Sequence, residues 1–406
     1  VKEAIARTDG SETVVLGSEL GQMHRVYARP GAAAIEALNR AALALVGAGD
    51  GDGWRETVRA AVGWESLQER VWPLGQDAAF AASLAGRFHT VSGILQAVDA
   101  AVHEHARTAR RLRPLDANAP LAQSHGTAYP IVQGPMTRVS DRAEFCLRVA
   151  EAGGLPFLAL ALMRAPAVDA LLEETQQLMG ERPWGVGVLG FVPLDLRQEQ
   201  LQEILKYRPP FAIIAGGRPD QAQMLEEEGI TTYLHVPSPG LLRLFMKDGA
   251  RRFIFEGREC GGHVGPRSSF VLWNTMIDVI LEELPSDEGQ TCHVLFAGGV
   301  HDRLSAAMVA AMAAPLAERG VRIGVLMGTA YLFTEEAVSA GAILRGFQEE
   351  AIHCAQTVLL ESGPGHATRC APSPFVEVFE QEKLRLRQEG RHSEEIRQAL
   401  DELNVG

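Results

Sequence analysis

Cysteine is scarce. Its five copies, Cys146, Cys260, Cys292, Cys354 and Cys370, are odd in number and widely scattered, which argues against a disulfide frame or a zinc site and for reduced thiols in a cytosolic setting. Positive charge is in deficit: 38 Lys and Arg stand against 51 Asp and Glu, a net charge of -13, so nucleic acid and anionic membrane surfaces are disfavoured partners. The basic run RTARRLR at 107–113 has no interleaved aromatics and reads as a solvated helix face. No apolar run is long enough to span a bilayer, and no signal-peptide pattern is seen. No Walker loop occurs, and the GxGxxG string GVGVLG at 185–190 falls inside an apolar strand-like run rather than in a turn that opens a helix, so it is no dinucleotide fingerprint and a bound phosphate would belong to a mononucleotide. No metal site is expected. The chain begins with Val1, so a piece excised from something longer and a mere choice of chain ends are both open.

What is present is the balance of an ordinary globular protein, 46% hydrophobic and 22% charged. The 406 residues exceed one average domain and suit a barrel of about 250 residues plus an extra segment. Residues 1–115 read as a mainly helical subdomain, with one strand at 13–16 and apolar residues at helical spacing in 31–46, 54–71 and 78–112, broken by GAGDGDG at 47–53. The turn-rich LDANAPLAQSHGTA places a boundary near residue 115. From there to 375 the texture becomes regular. Short apolar runs at 129–133, 156–162, 184–190, 211–215, 231–235, 252–256, 293–297 and 322–327 alternate with helical patterns at 141–152, 165–180, 196–207, 219–228, 239–248, 270–284, 302–319 and 335–342. Eight strand-plus-helix units predict an α/β fold with a parallel sheet, and eight is the number that closes into a (β/α)8 TIM barrel; an open doubly wound sheet is the alternative. Residues 376–406 read as a helical tail.

In a closed barrel the loops after the strands share one face. Gly134-Pro135-Met136-Thr137 follows the first strand, Ala215-Gly216-Gly217 the fourth, Ala297-Gly298-Gly299 the seventh and Met327-Gly328-Thr329 the eighth. Each glycine pair alone would be a tight turn. Together, on the last two strands, they match the usual phosphate site of such barrels, where backbone amides and a helix start face an anion. After the sixth strand, RFIFEGRECGGHVG runs from an apolar core segment into glycines and His263, an imidazole placed to move a proton near neutral pH. A surface-loop histidine is the competing reading. His235, at the end of the fifth strand, points to the same face, and Cys260 reads as a small packing residue.

The segments YPIVQGPMTRVSDRAEFCLRVAEAGGL, EGRECGGHVG, FAGGV and LMGTAYLFTEEA resemble, in order, the signatures of the nitronate monooxygenase (2-nitropropane dioxygenase) superfamily, which includes flavin-dependent enoyl reductases of polyketide and polyunsaturated fatty acid synthases. The resemblance covers roughly 128–375 and leaves 1–115 unexplained. It implies an FMN-binding TIM barrel. Gly134, Pro135, Met136 and Thr137 would lie against the isoalloxazine, with Ala215, Gly216, Glu256, Gly261 and Gly262 lining it. Ala297, Gly298, Gly299, Met327, Gly328 and Thr329 would hold the phosphate, and His263 falls on the family's active-site histidine. One departure stands out: WGVGVLG puts Gly187 where members often carry an asparagine that contacts flavin.

Two reactions follow from that resemblance. In the reductase reading NAD(P)H reduces FMN, which passes hydride to an enoyl thioester on an acyl carrier protein, with His263 positioning the carbonyl or assisting protonation. In the monooxygenase reading His263 acts on a nitroalkane and the flavin meets oxygen. The long GPRSSFVLW loop, the extra helical segment and the tail QTVLLESGPGHATRCAPSPF favour the reductase. Arg267 is a candidate for a substrate or cofactor phosphate, with an ordinary surface arginine as the alternative. A homodimer, a place within a multidomain synthase, and a non-catalytic flavin-barrel scaffold remain open.

Overall fold

A computed structural model describes residues 1–27, 31–46, 51–66, 68–363 and 365–405. The glycine-rich break expected at 47–53 lies partly outside the described residues, as do Pro364 of the tail segment and Gly406.

All eight expected strands form: β1 Ile131–Gln133, β2 Leu155–Ala159, β3 Gly185–Leu189, β4 Phe211–Ala215, β5 Thr231–His235, β6 Arg252–Glu256, β7 His293–Ala297 and β8 Arg322–Met327. The last five have the bounds read from the sequence. They close into a parallel barrel, each strand pairing with the next and β8 with β1. The strands read as continuous apolar runs because both faces are buried. Side chains alternate at period two. Phe157, Ile213, Tyr233, Ile254 and Leu295 point into the barrel, whereas Leu158, Ile214, Leu234, Phe253, Phe255, Val294 and Phe296 face the surrounding helices. Leu121, fully buried on the short helix Pro120–His125, joins the inner group and plugs the end where the strands begin.

Three expected helices come out broken, each for a local reason. The run 302–319 splits into Arg303–Met312 and Ala314–Glu318, because Pro315 has no N–H and its ring clashes with the preceding turn. The run 78–112 becomes a 3-10 turn, Ala81–Phe88 and Val91–Leu112. His89 takes a positive φ of 55°, and the Thr90 side chain then caps the long helix by accepting from Gly93 N. The run 54–71 is helical only in Gly51–Ala61. The rest folds back, bringing Val62 beside Val71 and Trp72 beside Tyr27.

The expected strand at 13–16 pairs with a second, His24–Tyr27, and helices Ala33–Leu45 and Gly51–Ala61 complete a small core around fully buried Trp54. The helix Val91–Leu112 instead lies along the barrel against Arg303–Met312 and Ala314–Glu318, with Arg111 NH2 2.6 Å from Glu318 Oε1. The first 115 residues therefore divide between a separate core and the barrel wall. At the other end, the tail contains a hairpin, Val358–Gly363 with His366–Cys370, before its two helices, Pro374–Gln388 and Ser393–Val405. Leu360, Phe379, Leu386, Ile396 and Leu400 pack these together. Among the described residues no helix is long and apolar enough to cross a membrane.

Candidate active site

His263 sits on a three-residue strand, Gly262–Val264, that adds to the edge of the tail hairpin, with His263 opposite Thr368 and Gly262 opposite Arg369. Its imidazole is exposed and hydrogen-bonds to no other described residue. The loop beneath it is fixed from three directions. Arg369 Nε donates to Arg258 O at 2.9 Å, and the Arg258 guanidinium pairs with Glu361, both partners coming from the tail. Glu259 Oε2 accepts from Ser269 N at 2.7 Å and Ser269 Oγ at 2.5 Å, which caps the helix Ser269–Glu283. From the N-terminal segment, Gln76 Nε2 donates to Pro266 O at 2.5 Å while its Oε1 accepts from Ser268 N at 2.9 Å.

Arg267 differs from both of its expected roles. It is 3% exposed; its Nε donates to Asp9 O at 2.8 Å, NH1 to Pro237 O at 3.1 Å, and NH2 lies 2.5 Å from Asp9 Oδ1. It is a buried latch between the N-terminal segment and the barrel mouth, not a surface or phosphate-facing arginine. Burial works to raise the Asp9 carboxyl, but hydrogen bonds from Ser11 and the charge of Arg267 outweigh it and hold Asp9 below its ordinary value.

The glycines after β7 and β8 gather where the sequence places a phosphate. Gly298 and Gly299 take φ of 105° and 81°, which a side chain would strain. The amides of Gly298, Gly299, Gly328 and Thr329 find no acceptor among the described residues; Gly298 is buried, where an amide is rarely left unpaired, while Gly299 and Thr329 are exposed and open to a ligand. A β-carbon on Gly261 would meet Thr329 Oγ1 at 3.1 Å, and one on Gly299 would meet Glu259 Cβ at 3.3 Å, so the His263 loop closes over these amides. The start of the helix Arg303–Met312 is already capped by Asp302, which accepts from Ser305 N at 2.8 Å. The donors left for an anion are thus the loop amides and the Thr329 hydroxyl, and these fit the phosphate of a mononucleotide.

The first loop offers a surface more than donors. Gly134 N is spent on Met327 O at 2.9 Å, Met136 N on Ser140 Oγ at 2.7 Å, and Pro135 has no N–H. Gly187 is buried under Pro135: a β-carbon there would lie 2.3 Å from Pro135 Cβ. An asparagine at 187 has no room, so the departure from the family pattern goes with this placement of Pro135. Ala215 O accepts from Gly190 N at 2.8 Å, and Gly216, at φ 65°, has Phe191 against it.

At the ends of β5 and β6, His235 Nδ1 lies 3.0 Å from Glu256 Oε2, and His235 Nε2 is buried without a partner among the described residues. Cys260 packs beside them, its Sγ 3.6 Å from His263 O. Burial first, then the Glu256 carboxylate, push its thiol far above the ordinary range, so it is a packing group and not a nucleophile. Among the described residues no group of three His, Cys, Asp or Glu is placed to hold a metal ion. Shallow depressions at Arg243–Glu283 and at Gly126–Pro183 lie away from these residues.

A second polar cluster, unsuspected from the sequence, closes the opposite end of the barrel. His125 Nε2 is 2.6 Å from Tyr233 Oη, which is 2.8 Å from His293 Nδ1. Arg322 NH1 faces His293 Nε2 at 3.4 Å. Because arginine only donates, His293 Nε2 accepts, so Nδ1 carries the proton and donates to Tyr233, whose hydroxyl donates on to His125. Burial, aided by the charges of Arg322 and Arg252, lowers His125 to about 3. Burial, then Arg252, His125 and Arg322, lowers His293 to about 2. Both rings are neutral, and burial pushes the Tyr233 phenol up.

Comparison with known proteins adds an independent line. The nitronate monooxygenase family model matches residues 196–404. The (3aS,4S,5R,7aS)-5-hydroxy-7a-methyl-1-oxo-octahydro-1H-indene-4-carboxyl-CoA dehydrogenase of Mycobacterium tuberculosis is 26% identical over 268 residues, 64% of this chain and 68% of that protein. Its Rhodococcus jostii counterpart is 25% identical over 240 residues, 57% of this chain and 61% of that protein. The structure of FabK from Thermotoga maritima superposes with a TM-score of 0.55 at 24% identity, covering 68% of this chain and 80% of that one, and so supports the barrel fold. The family match takes in more than half of the 406 residues, and the chain belongs to the nitronate monooxygenase family.

Proposed function

We propose that this protein is a flavin-dependent oxidoreductase that reduces an enoyl thioester. The observation that carries the reading is the convergence of His263 with the unpaired amides of Gly298, Gly299, Gly328 and Thr329 at one end of the barrel. Those amides and the Thr329 hydroxyl would hold the FMN phosphate, and the Gly134–Thr137 loop would support the ring. When bound, the flavin supplies hydride. The His263 imidazole is accessible to solvent and free of hydrogen-bond partners among the described residues, so it carries a proton between solvent and the substrate α-carbon. The tail hairpin and the Asp9–Arg267 latch hold its loop in register, where a small displacement costs much rate. Both curated relatives are named for carboxyl-CoA substrates, which supports a thioester over a nitroalkane. An acyl-carrier-protein thioester and NAD(P)H as the reductant belong to the same proposal.

The experiment is anaerobic. Protein reconstituted with FMN is mixed with NADPH or NADH and then with crotonyl-CoA. Bleaching of the flavin band followed by its return on adding the thioester is the expected result. Indifference to both nicotinamides, with bleaching by a nitronate, would favour the monooxygenase activity instead, and failure to bind FMN would favour a scaffold.

A further inference from the structure

The His235–Glu256 pair is the remaining feature of the barrel mouth that the reading above leaves without a task. Glu256 is a carboxylate and only accepts, so at 3.0 Å from its oxygen His235 Nδ1 must carry the hydrogen. In the tautomer with its hydrogen on Nδ1, the ring's lone pair lies at Nε2. That atom is buried and has no partner among the described residues, a costly state that proteins seldom leave uncompensated. The pair is held rigidly: β5 and β6 are neighbours in register, Leu234 opposite Phe253 and His235 opposite Ile254, and Val236 N donates to Ile254 O at 3.0 Å. The next residues bind it to the His263 loop. Pro237 O accepts from Arg267, and the α-carbon of Gly265 faces Pro237. The dyad therefore lies beneath the same loop that carries His263, at the end of the barrel where the unpaired amides sit.

We propose that His235 Nε2 is a ligand-binding acceptor: it takes a hydrogen bond from an N–H or O–H group of the molecule bound at the mouth, with Glu256 fixing the tautomer. This rests on the functional reading above. Two bound molecules there carry such a donor, the imide N–H of a flavin ring and the amide N–H groups of a pantetheine-linked thioester. The first would offset the missing side chain at Gly187, which Pro135 excludes.

The test uses the full chain and two variants. His235→Phe removes the acceptor. Glu256→Leu keeps the imidazole but removes the carboxylate that holds the hydrogen on Nδ1, so Nε2 is no longer fixed as an acceptor. Titration of apo-protein with FMN, followed by flavin fluorescence, gives Kd without any turnover; the KM for crotonyl-CoA is measured separately at saturating FMN. If the ring is the partner, both variants weaken FMN binding by about tenfold, the loss of one hydrogen bond with its acceptor or donor left unmatched. If the thioester is the partner, FMN binding holds and KM rises by a similar factor in both. Both outcomes support the proposal, and matched thermal melts exclude misfolding as their source. Wild-type values for Kd and KM in both variants, or a loss in His235→Phe that Glu256→Leu does not share, would overturn it while leaving the flavin reading intact. Wild-type protein that binds no FMN overturns that reading and this proposal together.

Discussion

Mild acid should loosen the end of the barrel opposite the candidate site. His125 and His293 are lowered from 6.5 to about 3 and about 2. The sign follows from where the protons go. Above pH 6.5 both rings are neutral in the folded and the unfolded chain, and their effect on stability is nil. As pH falls below 6.5 the unfolded chain gains one proton at each histidine while the folded chain gains none, so stability falls until the folded values are approached. Between pH 7 and pH 5 each histidine removes about 2 kcal/mol, or about 4 kcal/mol for the two. That is a large part of the roughly 5–15 kcal/mol that holds a typical domain folded. Asp9, held below its ordinary 3.8, contributes stability that is lost only at lower pH and does not interfere. The assay is a urea midpoint at pH 7 and pH 5 for the wild type and for His125→Gln. A glutamine keeps a polar partner for Tyr233 but cannot titrate, so the variant should lose only about half as much stability as the wild type over the same interval. An acid-insensitive wild-type midpoint, or a variant that loses as much as the wild type, would refute the buried neutral pair.

Four further outcomes are expected. His263→Ala should cut thioester-dependent flavin reoxidation by at least about 100-fold with the melting temperature and bound FMN unchanged, because the exposed ring supports nothing else; stopped-flow absorbance checks it. Gly298→Ala, at φ 105° with its β-carbon 2.6 Å from Ser269 Oγ, should lose FMN affinity and cost about 1–3 kcal/mol of stability, read by fluorescence titration and thermal melts. Gly187→Asn should lower the melting temperature without strengthening FMN binding, because Pro135 fills the space, and Pro135→Gly in the same chain should restore much of the loss. Arg267→Met removes the latch to Asp9 and Pro237 and should cost on the order of 2 kcal/mol while making residues 1–20 more susceptible to limited proteolysis and slowing turnover.

The place of the candidate residues at one end of the barrel was legible because they lie in short contiguous segments. The glycines after β7 and β8, and His263 after β6, each follow an apolar strand directly, and closure of the barrel alone brings those loops to one end. What holds His263 was not legible, because its partners are remote. Asp9 and Arg267 are 258 residues apart, and Arg369 reaches Arg258 O across 111 residues. Glu259 and Ser269 are closer in sequence, but nothing in ECGGHVGPRSS marks the turn that returns one to the other. The hairpin at 358–370 escaped notice for a related reason. Its strands carry Glu361, Ser362, Thr368 and Arg369 on a half-buried surface, and the helices that give them a core follow later in the chain.

Local chemistry, then, sufficed for the elements of the barrel, since the period and spacing of its eight doubly buried runs are written residue by residue, and the pairing of β8 with β1 decided for closure over an open doubly wound sheet. The long-range partners required the folded chain. An arginine reads alike at the surface and in a buried ion pair, and a histidine alike beside a carboxylate and in open solvent. Only the packing that sets distance and desolvation separated Arg267 from a phosphate ligand, paired His235 with Glu256, and neutralised His125 and His293 on the barrel floor.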